Sequence, residues 1–206
     1  MHPSKIVCVG RNYRAHAEEL GNDVPSEPLL FLKATSSIIE SGEVIRIPQW
    51  AGRIDFEGEI AVLIGSPARN VTADEAWSHV AGVFPLNDVT ARELQRSDGQ
   101  WARAKSFDTF CPMGSPVPVG EHDLADLSVI TRVNGEVQQE GHVRDMMFPL
   151  ADLIAYVSRT MTLREGDVIS SGTPEGVGPL STGDVVEVEI PGIGTLTNPV
   201  ELDGSR

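Results

Sequence analysis

Glu57 and Glu59 flank Gly58 at the head of an apolar run, Ile60-Ala61-Val62-Leu63-Ile64, that reads as a buried strand. Residues two apart in a strand share a face, so the two carboxylates would stand about 6–7 Å apart on one surface. Gly58 leaves that surface open, because a glycine inside a strand often marks the close approach of a ligand or another backbone. Paired carboxylates with such access suit a hard divalent cation, Mg²⁺, Mn²⁺ or Ca²⁺, which favours oxygen ligands. A solvated strand end is the competing reading. His16 and Glu19, three apart in a helix-prone segment, would share a face on which a carboxylate orients an imidazole. Taken alone, that pair is equally what a solvated helix face looks like. Asp88, Arg92 and Gln95 form one stripe if a helix begins at Asp88. If Thr90 and Glu93 are instead a capping box, Asp88 lies just before the helix; in both cases it is a free carboxylate at a helix entrance. The segment Gly172-Thr173-Pro174-Glu175-Gly176-Val177-Gly178 has neither a P-loop ending nor GxGxxG spacing, which argues against nucleotide phosphate. Backbone N–H groups near Thr173 could hold a carboxylate, or the segment is a plain surface turn.

The elements that must position these residues are short. An apolar strand at 6–9 ends at Gly10, and a helix over 12–20 follows, with Asn12 as N-cap and Gly21 as stop. Residues 21–28 are dense in turn formers and form a loop that could act as a lid. Strands follow at 29–32, delivering Lys33, and at 44–47. Thr72 and Glu75 make a capping box that starts a helix running to about Val80, and 83–86 is apolar again. Asn134-Gly135 between 128–133 and 136–140 predicts a hairpin with a type I′ turn. Pro149 opens a helix whose core face is Leu150, Leu153, Ile154, Val157 and Met161, and strand rhythm returns at 167–170 and 185–190. Without repeats or βαβ alternation, many short strands and few helices predict a predominantly β, α+β fold in a single domain, 1–206.

At 206 residues the chain can bury about 70% of the surface it exposes when unfolded, so no metal or disulfide staple is needed for folding. A formal charge of −14 and a pI near 4.7 exclude nucleic-acid and anionic-membrane binding as expected functions. Cys8 and Cys111 are far apart and unpaired by motif, and no stretch approaches the roughly 18 apolar residues of a membrane span. The expectation is a cytoplasmic protein without a leader.

Gly10-Arg11-Asn12-Tyr13 with His16 and Glu19, Phe31-Leu32-Lys33, Asp55-Phe56-Glu57-Gly58-Glu59, Asn87-Asp88-Val89-Thr90-Ala91-Arg92, Lys105-Ser106-Phe107-Asp108 and the 172–178 segment together resemble the fumarylacetoacetate hydrolase family, in order and over nearly the whole chain. The resemblance is nearest to the compact acylpyruvase, oxaloacetate decarboxylase and homoprotocatechuate-pathway isomerase-decarboxylase branch. It implies the mixed β-roll of the family's C-terminal domain, with a few short helices, and a homodimer. It also implies Mg²⁺ or Mn²⁺ on Glu57, Glu59 and Asp88, with His16, Glu19 and Lys105 catalytic. Arg11, Tyr13, Lys33, Arg92, Gln95 and Thr173 are implied to bind a small keto-acid substrate. Two features depart from the family. No acid precedes His16 within 7–11, where longer members supply a further ligand, and Ala34 follows Lys33 where relatives commonly carry proline.

The activity this resemblance implies is metal-dependent hydrolysis of a C–C bond in acylpyruvates such as fumarylpyruvate or acetylpyruvate, with His16 and Glu19 activating water. Oxaloacetate decarboxylation and isomerisation of 2-hydroxyhepta-2,4-diene-1,7-dioate are its rivals. A metal-dependent binding module without turnover is the alternative from another class.

Overall fold

The computed structural model describes residues 2–19, 21, 23–120 and 124–204. Among the described residues, fifteen strands and five short helices carry the chain. The strands are β1 (Ile6–Gly10), β2 (Leu29–Lys33), β3 (Ile38–Glu40), β4 (Ile45–Ile47), β5 (Ile54–Phe56), β6 (Gly58–Ile64), β7 (Val80–Asn87) and β8 (Thr90–Ala91), followed by β9 (Cys111–Met113), β10 (Ser128–Val133), β11 (Glu136–His142), β12 (Val168–Ser170), β13 (Gly178–Pro179), β14 (Val185–Ile190) and β15 (Gly194–Leu202). The helices are α1 (Arg14–Glu19), α2 (Ala73–Ala76), α3 (Arg92–Asp98), α4 (Ala102–Lys105) and α5 (Leu150–Thr160). No helix among the described residues is long and apolar enough to cross a membrane.

A seven-stranded mixed sheet, ordered β2-β1-β12-β6-β7-β9-β3, forms the centre. Its middle strands are apolar on both faces and are therefore covered on both. Ile60, Val62, Ile64, Val7 and Ile169 pack with Val129 and Val188 of the five-stranded sheet, β11-β10-β14-β15-β4, and with Leu150, Ile154 and Val157 of α5. Ala61, Cys8, Phe84, Leu86 and Val168 form a second cluster on the opposite face. A small third sheet, β13-β5-β8, sits beside a further cluster around Phe56 and Phe110.

The hairpin forms as its turn residues require, with φ of 53° at Asn134 and 84° at Gly135. The helix opened by Pro149 buries Leu150, Leu153, Ile154 and Val157, and Met161 is its C-cap. Other expectations need correction. The stretch through 55–64 is not one strand: it breaks at Glu57, leaving β5 and β6 in different sheets. Helix α1 starts at Arg14 rather than Asn12, whose side chain donates to the Phe148 and Ser171 carbonyls and accepts from Phe148 N–H, at 2.8–3.0 Å. Leu20 of the expected helix and Asn22 of the expected lid lie outside the described residues. The Thr72–Glu75 capping box is present, but α2 ends at Ala76, gives way to a 3-10 turn, and Val80 already belongs to β7. Neither helix start foreseen near Asp88 occurs: Thr90 and Ala91 are strand, α3 begins at Arg92, and Asp88 occupies the turn between β7 and β8.

Candidate active site

Strand β1 runs parallel to β12, β12 antiparallel to β6, and β6 antiparallel to β7. The C-terminal ends of β1, β12 and β7 and the N-terminal end of β6 therefore meet along one sheet edge. That edge gathers residues from four distant parts of the chain. Gly58 pairs with Asn87, so Glu57 and Asp88 emerge side by side, tied by Asp88 N–H to Glu57 O at 2.8 Å. Asn87 Oδ1 accepts Glu57 N–H at 3.0 Å.

Ligand oxygens of Glu57, Glu59 and Asp88 all lie within 4.8 Å of one another, and all three residues are buried. No fourth acid, histidine or cysteine joins them among the described residues. Glu57 accepts from Arg92 (2.7 Å) and Lys105 (2.6 Å), while Asp88 accepts from Lys105 and Lys33, each at 2.6 Å. Burial opposes the Glu57 charge, but Lys105, Arg92 and His16 outweigh it and hold that carboxyl well below the usual range. Glu59 differs. It accepts from Ser170 Oγ and from Gly172 N–H (3.0 Å), and has no cationic side chain within salt-bridge distance among the described residues. Burial, then the Asp88 and Glu57 charges, push its carboxyl up to about 8. A buried acid that would hold a proton at neutral pH, beside two carboxylates already bonded to cationic side chains, fits a divalent cation taking the place of that proton.

His16 projects from α1 into the same cavity, and burial lowers its pKa, leaving a neutral imidazole at neutral pH. The expected support by Glu19 is absent as a hydrogen bond. His16 Nδ1 is 3.6 Å from Glu19 Oε2, and that buried nitrogen has no hydrogen-bond partner. The Glu19 carboxylate instead accepts Gly176 N–H at 3.1 and 3.2 Å, tying α1 to the glycine-rich loop. That loop does hold carboxylates with its backbone, namely the protein's own Glu59 and Glu19.

The cavity, of about 850 Å³, is lined by His16, the three acids, Arg11, Arg92, Gln95, Lys105 and Thr173. Lys33 and Tyr13 are not on its wall. Lys33 is buried behind Asp88, bonding its carboxylate and the Val89 carbonyl, and Tyr13 sits in the main core with its hydroxyl unpartnered. Each guanidinium nitrogen of Arg92 already donates once, Nε to Asp55, Nη1 to Gln95 and Nη2 to Glu57. The Thr173 hydroxyl donates to Gly58 O and accepts from Gln139 Nε2, so it is already engaged within the protein. Ala34 N–H bonds Ser106 Oγ at 2.9 Å, a bond a proline there could not make, which accounts for the departure after Lys33. Gly58 is not an access port either: a side chain on it would strike Thr131 Oγ1 of β10 in the core.

Sequence reasoning missed Gln139 and Ser170. Gln139 Oε1 accepts Gly58 N–H at 3.0 Å, and its Nε2 donates to Thr173 and to Pro174 O. Nothing local marks a glutamine in a polar hairpin strand as buried. Trp101, also on the cavity wall, did carry a signal as a lone aromatic in a polar stretch.

Residues 5–201 match the Fumarylacetoacetate (FAA) hydrolase C-terminal family. The chain belongs to that family. It has the family's mostly β fold with few short helices, and close relatives carry names of enzymes. The solved structure of 5-carboxymethyl-2-hydroxymuconate delta-isomerase from Mycobacterium smegmatis is 45% identical, with a TM-score of 0.91, covering 100% of this chain and 81% of that one. That of 2-hydroxyhepta-2,4-diene-1,7-dioate isomerase from Mycobacterium marinum is 44% identical, TM-score 0.90, covering 100% and 77%. The mitochondrial oxaloacetate tautomerase FAHD1 of Arabidopsis thaliana is 46% identical over 203 residues, 96% of this chain and 91% of the relative.

Proposed function

We propose that this family member is a divalent-metal-dependent enzyme that moves a proton at the carbon next to the carbonyl of a short 2-oxo acid. One observation carries the reading: Glu59, a buried acid without a cationic partner, converges with two further carboxylates in a cavity that also holds a neutral His16. Glu57, Glu59 and Asp88 would hold Mg²⁺ or Mn²⁺, which when bound supplies Lewis-acid polarisation of a carbonyl. His16, in its base form, takes a proton from the substrate carbon or returns one. Lys105 and Arg92 keep positive charge beside the carboxylates, where negative charge develops on substrate oxygen. Thr173 N–H meets the substrate carboxylate.

Interconversion of the enol and keto forms of oxaloacetate needs this proton transfer at carbon and the exchange of the enol hydroxyl proton with solvent, and a tautomerase of that substrate is among the relatives. Isomerisation of a hydroxydienedioate is the same chemistry over a longer conjugated chain. Hydrolysis of an acylpyruvate to pyruvate is the second reading. It requires His16 to activate water with Glu19 behind it, and their 3.6 Å separation on one helix face leaves that pair a small rotation from a hydrogen bond. Residues 1–206 would act as one catalytic domain in a homodimer, and the two buried free thiols, Cys8 and Cys111, support a reducing cytoplasm.

The test is a panel of enol-oxaloacetate, followed by its ultraviolet decay, and acetylpyruvate and fumarylpyruvate, followed by pyruvate release, with Mg²⁺, Mn²⁺ or chelator. Metal-dependent decay of the enol above the solution rate is expected. Faster pyruvate release from an acylpyruvate would move the assignment to hydrolysis. No turnover of any of the three with either metal overturns the proposal.

A further inference from the structure

Besides the three acids, the cavity wall includes Phe31 of β2, Trp101 just before α4, and Arg11 and Arg96. Its 850 Å³ lies in the range of pockets that take drug-sized ligands, roughly 300–1,000 Å³, and exceeds what a four-carbon acid fills. Three features of this part of the wall are built rather than incidental. Trp101 lies on the Gly10 backbone so closely that a Cβ there would come within 2.5 Å of the indole. Phe31 meets the same indole edge-on at 5.2 Å. Arg11 lies over it at 5.8 Å and is held with a positive φ of 58°, a conformation a non-glycine residue adopts at a cost and one that concentrates at ligand sites.

Of the twelve described arginines, six pair with a carboxylate and six do not. Arg53, Arg92, Arg103 and Arg132 each pair with a carboxylate, as expected in a chain of net charge −14. Arg11 and Arg96, like Arg14, Arg69, Arg159 and Arg164, have no carboxylate within salt-bridge distance among the described residues, and of these six they are the two that line the cavity. Two guanidinium groups without a carboxylate partner on a cavity wall in an acidic protein draw anions into it, and a guanidinium presents a fork matched to a carboxylate.

We propose that Arg11, Arg96 and Trp101 form a second anion subsite that reads the far carboxylate of the substrate, selecting 2-oxo acids with a terminal carboxylate over equally long ones with a neutral end. Trp101 acts by position: it is the floor that holds Arg11 and the wall along which the spacer lies. This rests on the proposed 2-oxo acid chemistry for the class of ligand, but its test does not depend on turnover.

The test is calorimetric binding, with Mn²⁺ present, of 2-oxoglutarate and 2-oxopentanoate, which share a five-carbon chain and differ in the terminal carboxylate. The wild-type protein should bind the diacid about 10–100-fold more tightly, the worth of one or two charge-assisted hydrogen bonds. The double variant Arg11→Gln/Arg96→Gln should bring that ratio to within about threefold, chiefly by weakening the diacid. Gly10→Ala, which pushes the indole while keeping both arginines, should also reduce the ratio. Trp101→Phe, keeping a flat ring, should retain more of it than Trp101→Ala, with circular dichroism melting reported for each variant. A wild-type ratio near one, or a double variant with the wild-type ratio, overturns the subsite. Diacid preference without turnover of any 2-oxo acid would sink the proposed reaction and support the subsite.

Discussion

Glu59 and Glu57 are chemically identical and two residues apart, yet their surroundings give them opposite tasks. Glu57 is locked between Lys105 and Arg92, so its charge is already balanced, whereas among the described residues Glu59 receives neutral donors alone, the Ser170 hydroxyl and Gly172 N–H. Glu59 is thus the acid most in need of an added cation. Glu59→Gln should abolish stoichiometric Mn²⁺ binding in calorimetry or elemental analysis and lower activity by about 10²-fold or more. Full stoichiometry in that variant would remove Glu59 from the metal site. His16 can serve as a base because burial has lowered its pKa, so the rate should rise with pH through a value below the ordinary 6.5 and then level off. His16→Ala should lose roughly 10²–10⁴ in kcat and, with it, that acid limb. Glu19→Gln separates the two readings of the reaction. Since Glu19 bonds Gly176 and not His16, proton transfer should change less than about tenfold and keep its pH profile. A loss as large as that of His16→Ala would mean the His–Glu pair forms during turnover, and would favour the hydrolytic reading.

At the scale of elements, the site is made by register. Asn134-Gly135, the apolar run 60–64 and the repeat along 150–157 are legible in the sequence because turn type, strand burial and helix face are local properties. The spacing of the glutamate pair drew attention to both carboxylates, although the single strand that reading assumed breaks at Glu57. What was not legible depends on pairings across long stretches of chain. The Gly58↔Asn87 register puts Asp88 beside Glu57, the β12 to β6 pairing carries Ser170 to Glu59, and the break at Glu57 moves β5 into a separate sheet. Lys33 and Tyr13 show the converse limit: their types favour ligand contact, but packing turns one behind Asp88 and the other into the core. Gly58 gives this a test. A methyl group there meets Thr131 Oγ1, a buried hydroxyl without a partner, so Gly58→Ala should destabilise by about 1–3 kcal/mol in urea unfolding. Thr131→Ala removes the obstructing atom, and the pair should show a favourable coupling of about 0.5–3 kcal/mol in a double-mutant cycle. Additive effects would indicate that Gly58 is required by the site and not by the sheet.

For the molecule as a whole, closure falls to the parallel pairing of β1 with β12, which joins residues 6–8 to 168–170 and completes the edge on which the acids sit. A contact of such sequence separation is entropically expensive to form. It is reinforced by Asp167, which lies immediately before β12. Its Oδ1 accepts from Ser4 N–H (3.0 Å), Ser4 Oγ (2.6 Å) and Lys5 N–H (3.2 Å), and its Oδ2 accepts from Arg164 N–H (2.7 Å) and the Lys5 ammonium. Burial by itself would raise this carboxyl, but the Lys5, Ser4 and Arg164 hydrogen bonds outweigh it and hold the pKa below the ordinary 3.8. A folded-state pKa below the unfolded one means that the carboxylate's contribution is complete above the unfolded value and is lost as pH falls through the folded one. Asp167→Asn should therefore cost about 1.5–3 kcal/mol at neutral pH, since the amide keeps one acceptor and turns its NH₂ toward donors. The difference between wild type and variant should shrink as pH is lowered below about 4, which urea midpoints at successive pH values would measure. Because this clasp holds β1 to the strand that carries Ser170, the variant should also weaken Mn²⁺ binding before global unfolding sets in. A constant difference in stability across that pH range would mean that Asp167 acts through packing alone, and its charge would have no part in closing the sheet.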